Sequence, residues 1–245
     1  MNDARESYIA PETTKLSEYR PYPYKILSID LFFDLEPEAT KVVQDSRFVR
    51  SDPSETSLTL HGKELKLISL QIDGNDVDTD RIVQLDEDLL IRDVPSEFRL
   101  RIETEINPKA NTTLEGLYVS NGMFCTQCEA EGFRRITYYP DRPDVLTIFT
   151  TTIRANKTYP TLLSNGNQVT SRTLPDGRHE AVWYDPFPKP CYLFALVGGD
   201  LKCKYDTFTT YSGREIDLRI YVEEADLNRV SYALESLKRA MRWDE

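Results

Sequence analysis

Gln127, Glu129 and Glu131 alternate along a short segment that is rich in groups able to bind a ligand. Alternate residues of an extended strand share one face, so these three side chains are expected to point together. A carboxylate beside an amide is a good receptor for an ammonium group, because charge-assisted hydrogen bonds are stronger than neutral ones. The residues alone also allow a plainer interpretation, in which Glu129 only pairs with Arg134 or Arg135 of the same segment.

Cys125 and Cys128 have the spacing of a redox or zinc motif. A four-cysteine zinc site needs a second closely spaced pair, and Cys191 and Cys203 are too far apart for a usual zinc knuckle. Short motifs of this kind readily arise by chance. We therefore favour reduced thiols that serve as small buried residues of a strand.

Only two histidines occur, His61 and His179. A zinc peptidase motif needs two histidines one helical turn apart, with a glutamate beside the first. The segment His179-Glu-Ala-Val-Trp183 begins in this way, but Trp183 stands where the second histidine is required and the segment is strand-like. We therefore expect no zinc peptidase chemistry from this chain, and we interpret both histidines as surface or turn residues.

The acidic residues between positions 76 and 87 mimic the ligand spacing of a calcium-binding loop. Arg81 stands where that loop requires glycine, and the flanking segments are strand-like rather than helical. Acid-rich turns are common without a metal, so a solvated acidic loop is the interpretation that we favour.

The composition of the 245 residues, 40% of them hydrophobic, is sufficient for a full core. The net charge of −11 argues against nucleic-acid binding, because phosphate-binding surfaces need clustered Lys and Arg. No apolar run approaches the ~20 residues of a membrane span. The first 25 residues contain no apolar signal-peptide core. We therefore expect a cytoplasmic protein that binds neither nucleic acid nor membranes.

Short alternating segments separated by turn signals dominate the chain up to residue 200, and they predict a mainly β fold of the sandwich type. Residues 1–24 are expected to form an extended lead-in. Ser164-Asn-Gly-Asn167 predicts a hairpin turn, and prolines at 186, 188 and 190 predict a stiff loop. The predicted strands are residues 24–35, 41–43, 48–51, 57–62, 65–72, 88–92, 98–106, 145–154, 180–184 and 192–197.

The pattern changes after the glycine pair at 198–199. Residues 205–210 and 216–222 predict a hairpin, and Asp226 is the expected N-cap of an amphipathic helix. The apolar face of that helix is predicted to consist of Leu227, Val230, Leu234, Leu237 and Met241. We therefore expect an all-β domain over residues 1–200, followed over residues 201–245 by one hairpin and one helix of an incomplete second domain.

Residues 124–144 resemble the corresponding segment of the aminopeptidase N family, zinc metallopeptidases that remove amino-terminal residues from peptides. The bacterial form is the one that the chain resembles. The resemblance implies a saddle-like β-sandwich N-terminal domain and the start of a thermolysin-like catalytic domain. It covers most of the chain and extends through residues 111–118, 185–197, 206–210, 212–215 and 241–245.

The resemblance also implies roles for two of the residues above. Gln127 and Glu129 fall where a glutamine and a glutamate of the family's N-terminal domain reach into the active-site cleft. Glu129 is thereby implied to bind the α-amino group of a peptide substrate, and Gln127 to shape the first subsite. Such a site accepts only peptide N-termini, which would make the enzyme an exopeptidase.

The family's zinc ligands, general-base glutamate and Gly-Ala-Met-Glu-Asn loop are absent from this chain. We therefore expect the chain to be inactive alone and to bind no cofactor, with zinc present in the full-length enzyme and the missing catalytic domain as a partner. The alternative is a stand-alone, non-catalytic β module that binds a protein or peptide. A chain that ends inside a well-patterned helix at Trp243-Asp-Glu245 favours truncation over this alternative.

Overall fold

A computed structural model describes residue 13 and residues 15–245 of the protein. Residues 1–12 and 14 of the predicted lead-in lie outside the described residues. The strands are β1 Tyr24–Asp34, β2 Thr40–Arg50, β3 Leu58–His61, β4 Lys66–Ile72, β5 Asn75–Asp76, β6 Ile82–Gln84, β7 Asp88–Ile91, β8 Glu97–Ile106, β9 Gly116–Ser120, β10 Met123–Gln127, β11 Thr147–Ala155, β12 Thr161–Ser164, β13 Asn167–Thr173, β14 His179–Lys189, β15 Leu196–Gly199, β16 Lys202–Thr209 and β17 Glu215–Val222. One α-helix, α1, spans Ser231–Asp244, and short 3-10 helices span Leu16–Glu18, Thr79–Arg81, Phe133–Arg135, Cys191–Leu193 and Glu224–Asp226.

Eight strands form the largest sheet, in the order β13-β14-β11-β1-β2-β8-β4-β5. Within it only β1 and β11 run parallel, since all other neighbours pair antiparallel. Smaller sheets have the orders β12-β15-β10-β9 and β3-β7-β6, and β16 pairs with β17. The predicted mainly β fold is confirmed.

The long strand β2 corrects one prediction, because the sequence indicated two short strands separated at residues 44–47. Gln44 and Ser46 are polar, which weakens the alternation pattern, yet both are buried on the same face as Val42 and Phe48. The strand is therefore continuous, with polar residues at two of its inward positions.

An aromatic cluster holds the 3-10 turn at Phe133–Arg135 against strands β1 and β11 of the main sheet. Phe133 lies 5.4 Å from Phe194 and 6.3 Å from Phe149, measured between ring centroids, and both contacts are edge-on. Phe33 stacks on Phe194 at 5.9 Å. All four rings are buried, so the segment that follows β10 is anchored to the core through Phe133.

The predicted hairpin at residues 164–167 is wrong. Strand β12 pairs with β15 in one sheet, and β13 pairs with β14 in another, so the turn passes the chain between sheets. Gly166 does have the positive φ of +83° that the turn signal predicts, and a Cβ there would lie 2.2 Å from the carbonyl oxygen of Tyr184. The residues of the turn thus determine its local conformation, but they do not determine which strands pair.

The predicted loop and strand between residues 186 and 197 also need correction. Strand β14 continues through Pro186 and Pro188 to Lys189, with an irregular register opposite Thr147. A 3-10 turn, Cys191–Leu193, replaces the first half of the predicted strand. Proline has no N–H, and an irregular register is one of the few places in a sheet where that loss is tolerated.

The predicted C-terminal hairpin and helix are present, although Leu227 and Val230 of the predicted helix face precede the helix. Both elements surround a small separate cluster of Phe208, Leu218 and Leu234. The helix begins at Ser231 rather than after Asp226, which ends a 3-10 turn and accepts a hydrogen bond from Arg229. The division of the chain at residue 200 stays a prediction. In residues 13 and 15–245 no helix is both long and apolar enough to cross a membrane.

Candidate functional site

Residues 128–132, here called the Glu129 turn, follow directly on strand β10. The strand ends at Gln127, whose Nε2 donates to the carbonyl oxygen of Glu129 at 3.1 Å. The backbone N of Gly132 donates to the carbonyl oxygen of Cys128 at 2.8 Å and closes the turn. The peptide bond between Glu129 and Ala130 is cis. The expectation that Gln127, Glu129 and Glu131 share one strand face is therefore wrong, because only Gln127 belongs to the strand.

Two glycines allow the turn to close against its neighbours. A Cβ at Gly132 would lie 2.3 Å from the carbonyl oxygen of Gln127 and 2.9 Å from the backbone N of Gly116. Gly116 itself has a φ of +71° and pairs with Gln127 across β9 and β10. The backbones thus approach too closely for any side chain, which fixes the position of Glu129 relative to strand β10.

The two arginines that follow the turn have other partners. Arg135 is buried and donates to Glu115 at 3.0 Å and to Glu64 at 2.6 Å. Arg134 donates from Nε to Asp141 at 3.1 Å, and its Nη2 lies 3.3 Å from Glu131.

The carboxylate of Glu129 has neither an ion pair nor a hydrogen bond among the residues that the structure describes. The plainer interpretation, a Glu129 pair with Arg134 or Arg135, is therefore not what the structure shows. The exposed Glu129 carboxylate remains free to accept charged hydrogen bonds, while the Gln127 amide donates to the backbone carbonyl of Glu129.

Asp141 is the buried partner that holds Arg134, and it also binds two residues from distant parts of the chain. Its carboxylate accepts a hydrogen bond from Cys191 Sγ at 3.0 Å, and its backbone N donates to His61 Nδ1 at 3.0 Å. Burial lowers the pKa of His61, and the nearby Arg134 charge lowers it further. His61 is thus a half-buried hydrogen-bond acceptor, which corrects its interpretation as a surface or turn residue.

His179 and the acidic residues at 76–87 have no common partner. His179 is the first residue of β14 and lies opposite Ala155. Asp76 accepts a hydrogen bond from Gln71, and Glu87 pairs with Lys63. Asp76 and Glu87 of the suggested calcium loop therefore have separate partners rather than a common ligand.

The cysteine pair lacks the features of a redox or metal site. Burial raises the pKa of Cys125, and it raises that of Cys128 far more, whereas a reactive thiol needs a lowered pKa. Over the described residues no three His, Cys, Asp or Glu side chains gather in a way that could hold a metal ion. Zinc, which the resemblance implies for the full-length enzyme, therefore has no fitting site among residues 13 and 15–245.

Arg134, Asp141 and Cys191 were not singled out as site residues from the sequence. The only signal was local: Arg134 and Asp141 lie seven positions apart in the segment that carries the resemblance. Cys191 and His61 also bind Asp141, although they lie 50 and 80 positions away from it along the chain. Such contacts follow from the fold rather than from spacing.

Comparison with known proteins gives consistent matches. Residues 22–193 match the peptidase M1 N-terminal domain. Aminopeptidase N of Escherichia coli is 52% identical over 236 residues, and that of Caulobacter vibrioides is 50% identical over 235 residues. Each alignment covers 96% of this chain and 27% of the relative, so the chain spans about a quarter of the length of these curated relatives.

Solved structures give the same result. Legionella pneumophila aminopeptidase A, in complex with aspartic acid, superposes with a TM-score of 0.89 at 37% identity, over 95% of this chain and 28% of that one. The M1 zinc metallopeptidase of Deinococcus radiodurans shares the fold, with a TM-score of 0.71 at 17% identity over 82% of this chain and 48% of that one. Fold and sequence together define the class as the N-terminal domain of an M1 metallopeptidase. The chain belongs to the aminopeptidase N family.

Proposed function

We propose that this chain recognises the free amino terminus of a peptide as part of a zinc aminopeptidase. Glu129 accepts the α-ammonium group, and Gln127 borders the site of the first side chain. One observation carries this proposal: both arginines beside the turn are engaged by other acids, so the Glu129 carboxylate is left unpaired on a rigid turn. An ammonium group is the natural partner for such a carboxylate.

Recognition of an ammonium group gives selectivity for chain ends. An internal peptide bond offers no amine, so a substrate that is not positioned by its amino terminus leaves the Glu129 carboxylate without a charged partner. On this proposal the chemistry of bond cleavage, including zinc, comes from residues outside this chain. The chain alone then has no peptidase activity.

The catalytic domain is the proposed partner, and helix α1 offers a surface for it. Tyr232 and Trp243 are 78% and 86% exposed. Their burial by further chain would stabilise both units, because aromatic side chains contribute large apolar areas to interfaces. This role fits the proposal that the hairpin and helix open the catalytic domain.

A chimeric enzyme tests the proposed function. In it, this chain replaces the aligned 27% of the Escherichia coli aminopeptidase N, with which it shares 52% identity. We expect the chimera to hydrolyse an aminoacyl chromogenic substrate and to be inhibited by a zinc chelator. Glu129→Ala should lower kcat/KM on the order of tenfold to a hundredfold, the loss expected for a hydrogen bond to a charged group.

Glu36→Ala is the matched control, because Glu36 is also exposed and its side chain has no ion pair among the described residues. It should leave kcat/KM unchanged. A folded chimera without activity, or equal kinetics for the two variants, would overturn the proposal. In that case the chain would be a binding module rather than the substrate-anchoring part of a peptidase.

A further inference from the structure

Asp141 is a buried carboxylate that binds Arg134, two residues after the Glu129 turn. Its side chain is 1% exposed. One oxygen, Oδ2, accepts hydrogen bonds from the backbone N and the Nε of Arg134, both at 3.1 Å. The other, Oδ1, accepts the Cys191 thiol at 3.0 Å. Both oxygens of Asp141 are therefore occupied, and Arg134 is its only cationic partner among the described residues.

The Arg134 side chain extends from Asp141 to the Glu129 turn. Its side chain is 11% exposed, and its Nη2 lies 3.3 Å from Glu131. Its Nη1 lies 4.0 Å from Glu87 on the other side. The Arg134 guanidinium thus lies near three carboxylates. Which of the neighbouring acids remain unpaired depends on which of them it binds.

We propose that Asp141 is a positioning residue that keeps the Arg134 guanidinium away from Glu129. This inference rests on the proposed function, because it matters only if Glu129 must stay unpaired to receive an ammonium group. Removal of one member of a buried ion pair leaves the other charge uncompensated. Without the Asp141 charge, Arg134 turns towards the acids of the turn and forms the pair with Glu129 that the native structure lacks. That pair would occupy the receptor for the substrate amine.

His61 and Cys191 hold Asp141 in this position. The neutral His61 ring accepts the backbone N–H of Asp141 at 3.0 Å, and the Cys191 thiol donates to its side chain. Burial raises the pKa of Cys191, and the adjacent carboxylate raises it further, so the thiol stays protonated and remains a donor. Two neutral partners thus hold Asp141 in place, and neither of them neutralises its charge. The carboxylate therefore forms its ion pair with Arg134.

Asp141→Asn in the chimeric enzyme tests the inference. We expect KM for the chromogenic substrate to rise about tenfold while kcat changes less than about twofold, because substrate positioning is lost and the cleavage step is not. Glu180→Gln is the matched control. Glu180 is an equally buried carboxylate that pairs with Arg154 and Arg172, and none of its partners belongs to the turn. It should lower the unfolding temperature of the chimera to a similar extent without raising KM.

A second variant separates this mechanism from a general loss of structure. Asp141→Asn with Arg134→Gln removes both charges, so no unpaired buried charge of this pair is left and the Arg134 guanidinium can no longer occupy Glu129. We expect KM to return to within about twofold of the unmodified chimera. A KM that stays as high as in Asp141→Asn alone would overturn the inference, as would equal KM values for Asp141→Asn and Glu180→Gln.

Failure of this inference is distinguishable from failure of the proposed function. If Glu129→Ala raises KM but Asp141→Asn behaves like Glu180→Gln, only the positioning role is wrong. If Glu129→Ala itself has no effect, the proposed function is wrong and the inference falls with it.

Discussion

A Cβ atom at Gly132 would lie 2.3 Å from the carbonyl oxygen of Gln127. The last residue of strand β10 and the last residue of the Glu129 turn are therefore in direct backbone contact. Because Glu129 lies between them, its carboxylate is presented by a turn with little freedom to move. Rigid presentation lowers the ordering cost of ligand binding.

Gly132→Ala should disturb this arrangement by steric overlap, since the φ of −83° at Gly132 is accessible to alanine. We expect a loss of about 1–3 kcal/mol in the free energy of unfolding, as for other overpacked sites, and a raised KM in the chimeric enzyme. Gly177→Ala is the control, because Gly177 has a φ of +81° and open space around it. It should cost stability through backbone strain without changing KM. Equal KM values for the two variants would show that the close contact does not position Glu129.

His61 should make the stability of the chain depend on pH below its ordinary pKa of 6.5. Burial lowers the pKa of His61 in the folded state, so the unfolded chain binds the proton more readily. The free energy of unfolding therefore falls as the pH drops through 6.5 towards the lower folded pKa. His61→Asn keeps an acceptor near the position of Nδ1 but cannot titrate. Urea unfolding at pH 7.5 and 5.5 should show a smaller decrease for this variant, and an equal decrease would contradict the assignment.

Asp144 should stabilise the chain over a different pH range. The Arg142 side chain donates to Asp144, which lowers the pKa of the carboxyl from 3.8 to about 2, with further help from Tyr19. The stabilisation is present above pH 3.8 and is lost as the pH falls to 2. Because Asp144 is partly open to solvent, which screens its pair with Arg142, this stabilisation is discounted to about 1 kcal/mol. Asp144→Asn should remove this amount at pH 7.

The matched control for Asp144 is Asp176→Asn, since Asp176 pairs with Arg178 but is mostly exposed. An exposed pair contributes little, so this variant should change the free energy of unfolding much less than Asp144→Asn does. Urea unfolding at pH 7 and pH 2.5 compares the two. A deficit for Asp144→Asn that persists unchanged at the lower pH would refute the charge-based origin.

Much of the fold could be predicted from sequence patterns, because inward and outward residues alternate. Strand β8 shows this most clearly: Phe98, Leu100 and Ile102 are buried and the residues between them are exposed. Alternation does not reveal a strand where polar residues are buried. Gln44 and Ser46 are polar and fully buried, so the pattern predicted a break inside β2 where none exists.

Strand pairing between distant segments could not be predicted from the sequence, for a different reason. The turn at residues 164–167 has the local conformation that its residues favour, but strand partners are set by the packing of whole sheets. The site shows the same division. Gln127 and Glu129 could be identified through a resemblance. The role of Asp141 could not, because it depends on contacts with His61, Arg134 and Cys191 that only the fold creates.

The central claim is that the negative charge of Glu129 receives the substrate's amino group. The most direct test is the KM of the chimeric enzyme with Glu129→Gln, which removes the charge and keeps the size and one acceptor oxygen. A roughly tenfold or greater rise in KM, absent in Glu36→Gln, is the predicted result, since a charged hydrogen bond is replaced by a neutral one. A KM equal to that of the unmodified chimera would contradict the claim.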